Sequence, residues 1–338
     1  MRQRVVQTLV WVILMASSGC VYVSGEINPF AKERGGLRET TVSGMGRDKV
    51  LLLDISGMIT GMESKESLGL VTEESTVARL EEELRRARDD KSVHAVVLRI
   101  NSPGGGVTAS DTIYREIMRF KEETQRPVIA ALRDVATSGA YYVALAADQI
   151  VASPTTVTGS IGVIMVGLSV QGLMAKLGVR DQTIKSGDHK DLLSPFRDTT
   201  VEEREIVQSV IDELHGRFIG LVAARRPNVS SANLEQLGDG RIFTASQGAE
   251  LGLVDQIGYV DDAVEAAREA AGIEQARVVM YHRQGEYREN LYSGASLRPG
   301  VAPPTAGGTE ILGVTLGLPR DTGPRFMYLW VPGLAASP

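Results

Sequence analysis

Near-continuous apolar runs alternate along this chain with segments of helical period. Residues 49–55 (KVLLLDI) and 93–100 (VHAVVLRI) are apolar almost throughout, the pattern of strands buried on both faces of a sheet. Between them, Val77, Leu80, Leu84 and Ala87 recur at helical spacing over 75–90, with Ser75 or Thr76 placed to cap the start. A turn at 101–106 leads into a helix with Ile113, Ile117 and Phe120 on one face. Pro127 ends that region, and 128–132 predicts a third strand. After the short segment 134–137, the pattern predicts a helix over 138–147. Strands at 149–152 and 161–166, a helix at 169–177 and a strand at 179–185 follow. The longest helix spans 201–225, with Ile206, Val210, Leu214, Phe218 and Leu221 as its expected buried stripe. A helix at 261–271 and a strand at 277–281 complete the order. Strands alternating with helices predict a layered α/β fold with a largely parallel sheet.

The two ends break this pattern. Arg2 and Arg4 precede an apolar stretch from Val5 to Ala16, and Ser17, Ser18 and Gly19 lead to Cys20. Positive start, apolar run and small residues form an export signal. A cysteine directly after small residues is similar to a lipoprotein signal, with Cys20 as the lipidated residue, although Ser17 stands where leucine is usual. An uncleaved membrane-spanning helix and an ordinary cleaved signal are the alternatives. All three put the following domain outside the cytoplasm. The expected organisation is an anchor or signal at 1–23, a polar, glycine-rich linker at 24–46, one domain at 47–282 and a flexible tail at 283–338. Within that tail, 326–331 is apolar enough to dock.

Composition removes several classes of function. Across 338 residues, 42 acidic side chains outnumber 36 basic ones, for a formal charge of -6, and no basic stripe marks a nucleic-acid binder. Cys20 is the single cysteine, so a disulfide within the chain and a cysteine-rich metal site are both excluded. The four histidines, His94, His189, His215 and His282, form no HExxH pair. No metal or organic cofactor is expected.

Two places carry candidate chemistry. The turn Asn101-Ser102-Pro103-Gly104-Gly105-Gly106 lets a ligand approach the backbone closely, and exposed amides there can hold an oxyanion. Loop geometry alone is the plain alternative. Neither a GxGxxG fingerprint nor a Gly-Lys-Ser/Thr phosphate loop is present. Ser138, in Thr137-Ser138-Gly139-Ala140, falls where a strand gives way to a helix, with the Gly139 amide next to it. It is either a nucleophile or simply a helix cap. The GxSxG elbow is not met, because Ala136 stands two residues before the serine. A nucleophilic serine needs a base, and nothing marks His189 as one. A lysine has an ordinary pKa of about 10.4. Making it neutral near pH 7 requires loss of water, at a cost of roughly 4 kcal/mol. Lys185 and Lys190, in Lys185-Ser186-Gly187-Asp188-His189-Lys190-Asp191, are both candidates, and nearby Asp188 and Asp191 would oppose the change.

These residues sit in motifs that together resemble the signal peptide peptidase A family of bacterial Ser–Lys peptidases. The motifs are INSPGGGV at 100–107, TSGAYYVALAAD at 137–148, TGSIGV at 158–163, KSGDHKDLLSPFR at 185–197 and GRIFTASQGAELGLVDQIG at 240–258. The resemblance covers about 48–272 and implies the family's short, single-domain form. Its implied fold is the spiral of ββα units of the Clp protease subunit and crotonase. It implies Ser138 as nucleophile, Lys190 as general base in preference to Lys185, Ser160 as the residue positioning the lysine, and Gly105 and Gly139 as oxyanion donors. It further implies remnant signal peptides as substrates, attachment to the membrane through the N-terminus, and a homo-oligomer whose sites are shared between subunits. A crotonase-like acyl-CoA enzyme and a non-catalytic membrane scaffold are the rival functions.

Overall fold

The apolar runs become the centre of one large sheet. The structure, a computed structural model, describes residues 36–66, 71–283, 290–292, 309–311, 314–316 and 326–330. The predicted export segment with Cys20 lies outside them. In chain order, β1 (Arg38–Gly44) and β2 (Lys49–Ser56) precede a short hairpin, β3 (Ser64–Glu66) and β4 (Val71–Glu73), and then α1 (Thr76–Asp89). β5 (Val93–Ser102) and β6 (Gly104–Gly106) lead into α2 (Val107–Thr124), and β7 (Val128–Thr137) into α3 (Gly139–Ala144). Then come β8 (Gln149–Ala152), β9 (Val157–Gly159), β10 (Ile164–Met165), α4 (Gln171–Leu177), α5 (Val201–Arg225) and α6 (Ser231–Leu237). β11 (Ile242–Thr244), α7 (Ala245–Glu250), β12 (Gln256–Ile257), α8 (Val260–Ala270) and β13 (Arg277–His282) follow. The last strands are β14 (Thr309–Ile311), β15 (Val314–Leu316) and β16 (Phe326–Leu329).

The main sheet runs β1-β13-β2-β5-β7-β8-β12, and β9 and β11 extend it beyond β7. From β13 to β12 every neighbouring pair is parallel. Both faces are covered, which is why β2 and β5 are apolar at successive positions. Leu51, Leu53, Ile55, Val96 and Leu98 pack with α1, α2 and α3 on one side. Val50, Leu52, Ala95 and Val97 meet Val260, Ala263 and Ala267 of α8 on the other. Ser75 caps α1, accepting from the Ala78 amide. β7 pairs with β8 along 129–132, then with β9 along 135–137. Its C-terminal end therefore protrudes past the sheet centre, and the serine follows there.

Several expectations change. Residues 38–44, assigned to a linker by their polarity, form β1 at the sheet edge against β13. The segment 134–137 is part of β7, and the glycine turn contains a strand of its own, β6. The strand expected at 161–166 is reduced to β10, with β9 lying before it. No strand forms at 179–185, and none of the described strands pairs with it. α5 has the expected ends because Thr200 and Glu203 form a capping box, but its stripe is different. Phe218 is fully buried, whereas Ile206 and Val210 are exposed. Val207, Phe218 and Val222 are the apolar residues that α5 buries, so its buried stripe is rotated away from Ile206 and Val210. Phe218→Ala is expected to cost about 3–5 kcal/mol, and Val210→Ala no more than about 0.5 kcal/mol, in chemical denaturation. Equal costs would contradict this placement of α5.

Candidate active site

Ser138 sits between the end of β7 and the start of α3 in an unusual backbone conformation, φ 54° and ψ −118°. For a residue with a Cβ this region is sparsely populated and costs about 1–3 kcal/mol, so surrounding structure must hold it. Its amide donates to Gly159 O at 2.8 Å, and its carbonyl accepts from Tyr142 N at 2.9 Å. The side chain is buried and makes no capping hydrogen bond, so the helix-cap alternative does not describe its role. Ser160 comes next to it by register. Thr137 pairs with Gly159 in the parallel β7–β9 ladder, and the following residues are the two serines. Ser160 is also buried, also has positive φ, and its amide donates to Arg241 O at 2.7 Å.

Gly105 and Gly139 meet on the other side of Ser138. Ile59 takes the flanking groups of β6: its amide donates to Gly104 O at 2.9 Å, and its carbonyl accepts from Gly106 N at 3.0 Å. Alternation along a strand then turns the N–H and C=O of Gly105 the opposite way. Neither glycine tolerates a side chain. A Cβ on Gly105 would lie 2.1 Å from Ile59 O, and one on Gly139 would lie 2.4 Å from Ser110 Oγ and 3.1 Å from Gly105 N. The Gly139 amide is among the first of α3, which have no partner within the helix. The two amides thus share one small volume with nothing but hydrogen in the way.

That volume holds a carbonyl. β16 lies antiparallel between β6 and β10, with Tyr328 opposite Gly105 and Met327 opposite Ile164. A Cβ on Gly139 would be 3.0 Å from Tyr328 O, and Trp330 N donates to Pro103 O at 3.0 Å. Beyond β16 a cavity of about 410 Å³ opens, bounded by Ser160, Val163, His215, Asp239 and Trp330.

Lys190 is elsewhere. It is exposed, in the irregular segment between α4 and α5, and its amide donates to Gly187 O at 3.1 Å. Within one chain the structure brings Ser138, Ser160, Gly105 and Gly139 together but not Lys190. Lys185 is engaged within its own loop, where its ammonium donates to Asp191 Oδ1 at 2.7 Å and Asp188 O at 2.8 Å. Arg197 binds the same Asp191 at 2.7 Å and also reaches Glu203 Oε2 at 2.8 Å, tying the loop to the start of α5. Asp191 therefore has two cationic partners of its own.

Known proteins match this chain over most of its length. The model for Peptidase family S49 matches residues 120–274. A putative signal peptide peptidase SppA of Enterococcus faecium is 37% identical over 72% of this chain and 70% of its own. Putative protease slr0021 of Synechocystis is 40% identical over 56% of this chain and 68% of its own. Putative protease MJ0651 of Methanocaldococcus jannaschii is 35% identical over 66% of this chain and 72% of its own. The chain belongs to peptidase family S49, the signal peptide peptidase A family. It is accordingly a serine-type peptidase, built on an α/β fold with a largely parallel sheet, and the acyl-CoA alternative falls away.

For a member of this family, the feature that sequence reasoning missed is Tyr328. Its only signal was an apolar patch in a polar tail, and pairing with a distant glycine strand leaves no local periodicity. The carboxylates around Arg197 give a pH dependence. Arg197, then the Thr200 amide, holds Glu203 down at about 2, and Arg197, then Lys185, keeps Asp191 well below the usual carboxylate range. Lowered folded-state values stabilise the loop above the unfolded carboxylate range of about 4, and that contribution is lost as pH falls toward about 2. Hydrogen exchange is expected to show 185–200 loosening across this window while β2 and β5 stay protected. A loop equally protected at both ends of the window would contradict it.

Proposed function

We propose that this peptidase hydrolyses remnant signal peptides and other extended, membrane-proximal peptides outside the cytoplasm, using Ser138 and Lys190. The observation that carries the reading is a buried serine in a strained strand–helix junction, its hydroxyl unused as a cap, beside two converging glycine amides. Neutral Lys190 takes the hydroxyl proton as Ser138 Oγ attacks the peptide carbonyl. The oxyanion is held by the N–H groups of Gly105 and Gly139. Lys190 then protonates the leaving amine, the C–N bond breaks, and water hydrolyses the acyl-enzyme by the same proton path. Ser160 hydrogen-bonds the lysine and fixes its position.

A lysine in water stays charged, so the exposed Lys190 needs a neighbour to bury it. A homo-oligomer supplies one, with Lys190 of one subunit completing the Ser138 site of the next. The segment around Lys190 supports this. Leu168, Leu173, Leu177, Val179, Ile184 and Phe196 are all exposed there, an apolar surface of the kind that marks association. Lys185 is already engaged by Asp191 and the Asp188 carbonyl, which leaves Lys190 the freer of the two to reach a neighbouring subunit. The N-terminus with Cys20 holds the assembly at the membrane, by lipid or by a spanning segment. Among the described residues no helix is long and apolar enough to cross a membrane.

Ser138→Ala is expected to lower peptide hydrolysis at least about a thousandfold, and Lys190→Ala by about 10²–10⁴-fold. Mixing the two inactive variants during assembly should restore part of the activity, because some sites then pair an intact serine with an intact lysine. A Ser138→Ala variant with full activity would refute the nucleophile. A mixture that assembles and remains inactive would refute the shared site.

A further inference from the structure

Three atoms crowd one point beside Gly139. A Cβ there would meet Ser110 Oγ at 2.4 Å, Tyr328 O at 3.0 Å and Gly105 N at 3.1 Å. The last two mark the volume in which the oxyanion forms, so the Ser110 hydroxyl stands in its wall. Ser110 lies near the start of α2 and is fully buried. Its hydroxyl donates to Gly106 O at 3.0 Å. The Gly106 amide donates in turn to Ile59 O at 3.0 Å, and Gly104 O accepts from Ile59 N at 2.9 Å. The strand that carries the Gly105 amide is thus held by Ile59 along one edge and by Ser110 at its end.

A helical serine or threonine often bonds the carbonyl four residues back. Elsewhere on α2, Thr112 donates to Thr108 O and Thr124 to Phe120 O, both at 2.7 Å. The hydrogen bond alone therefore does not set Ser110 apart. The contact with Gly139 does. One oxygen bonds toward β6 and rests against the first residue of α3, and so links the two segments that supply the donors.

We propose that Ser110 is a positioning residue that sets the spacing of the two oxyanion amides, by a hydrogen bond on the Gly105 side and by contact on the Gly139 side. The proposal rests on the peptidase reading above and adds a residue to its machinery. A hydrogen bond weakens steeply as its direction and length depart from the optimum, and oxyanion stabilisation depends on donors already in place. With alanine at 110, a gap the size of one oxygen opens beside Gly139. The start of α3 can settle into it, which moves the Gly139 amide relative to Gly105. A bound peptide, held along its length by strand pairing, feels little of this. The tetrahedral oxyanion, which needs both donors at once, feels most of it.

The test compares Ser110→Ala with Thr112→Val, which removes the same kind of bond from the same helix, in the full chain. In Ser110→Ala, kcat for peptide hydrolysis is expected to fall by about ten- to a hundredfold, less than for the loss of a whole donor. KM should stay within about twofold. Affinity for a peptide boronate, whose tetrahedral adduct on Ser138 places an oxygen between the amides, should fall by the same factor as kcat/KM. Binding of the uncleaved peptide, measured with Ser138→Ala added, should stay within about twofold. Thr112→Val should keep the wild-type kcat. If Ser110→Ala does not fold, Ser110→Cys is measured in the same way, with the same loss expected because the larger sulfur displaces Gly139. A kcat unchanged in the Ser110 variant, an equal loss in Thr112→Val, or a loss of peptide binding as large as the loss of kcat overturns the proposal. A wild-type boronate adduct on Ser138 alongside any of these leaves the peptidase reading standing. Absence of that adduct in the wild type removes both.

Discussion

A peptide carbonyl can gain negative charge only where donors converge on it, and the amides of Gly105 and Gly139 converge on one small volume, where the Tyr328 carbonyl lies. The requirement reaches far into the structure. β6 is pinned to Ile59 so that Gly105 faces outward. No side chain fits at either glycine without displacing Ile59 O or Ser110. Ser138 accepts an uncommon backbone conformation so that its hydroxyl stands beside the Gly139 amide rather than capping α3. The long parallel sheet, buried on both faces, is the rigid body that makes such a constraint tolerable.

The second constraint, which the proposed mechanism brings with it, is electrostatic. An ammonium in water is a proton donor, not a base. Lys190 lies on an exposed loop, while Lys185, Asp191, Arg197 and Glu203 form a set of ion pairs in the same segment. Those pairs shape the loop and leave Lys190 outside them. Burial by a second subunit would change its protonation without any change in the chain itself.

Much of the fold was legible in the sequence, for reasons that are local. β2 and β5 read as buried strands because both faces are covered. α5 has readable ends because Thr200 and Glu203 cap it. The stripe on α5 was misread because apolar spacing does not say whether a core lies opposite, and for Ile206 and Val210 none does. The segment 179–185 was misread because β-branched residues form a strand only when another edge is in reach. The site residues were legible as motifs, through a resemblance, and not as geometry. Nothing local in Gly104-Gly105-Gly106 says that it is a strand, and nothing in Phe326–Leu329 says that it is that strand's partner. Such pairings belong to the folded chain alone.

On this mechanism Ser138 attacks only with the help of a lysine that has lost its charge. The most direct measurement is the rate of covalent labelling by a serine-reactive fluorophosphonate, followed by intact mass and peptide mapping, in the wild-type chain and in Lys190→Ala. The expected result is one label per chain on Ser138 in the wild type, with a rate that rises with pH as an ammonium titrates below its ordinary range. In Lys190→Ala labelling should be lost. Labelling of Ser138 at an undiminished rate without Lys190 would contradict the mechanism.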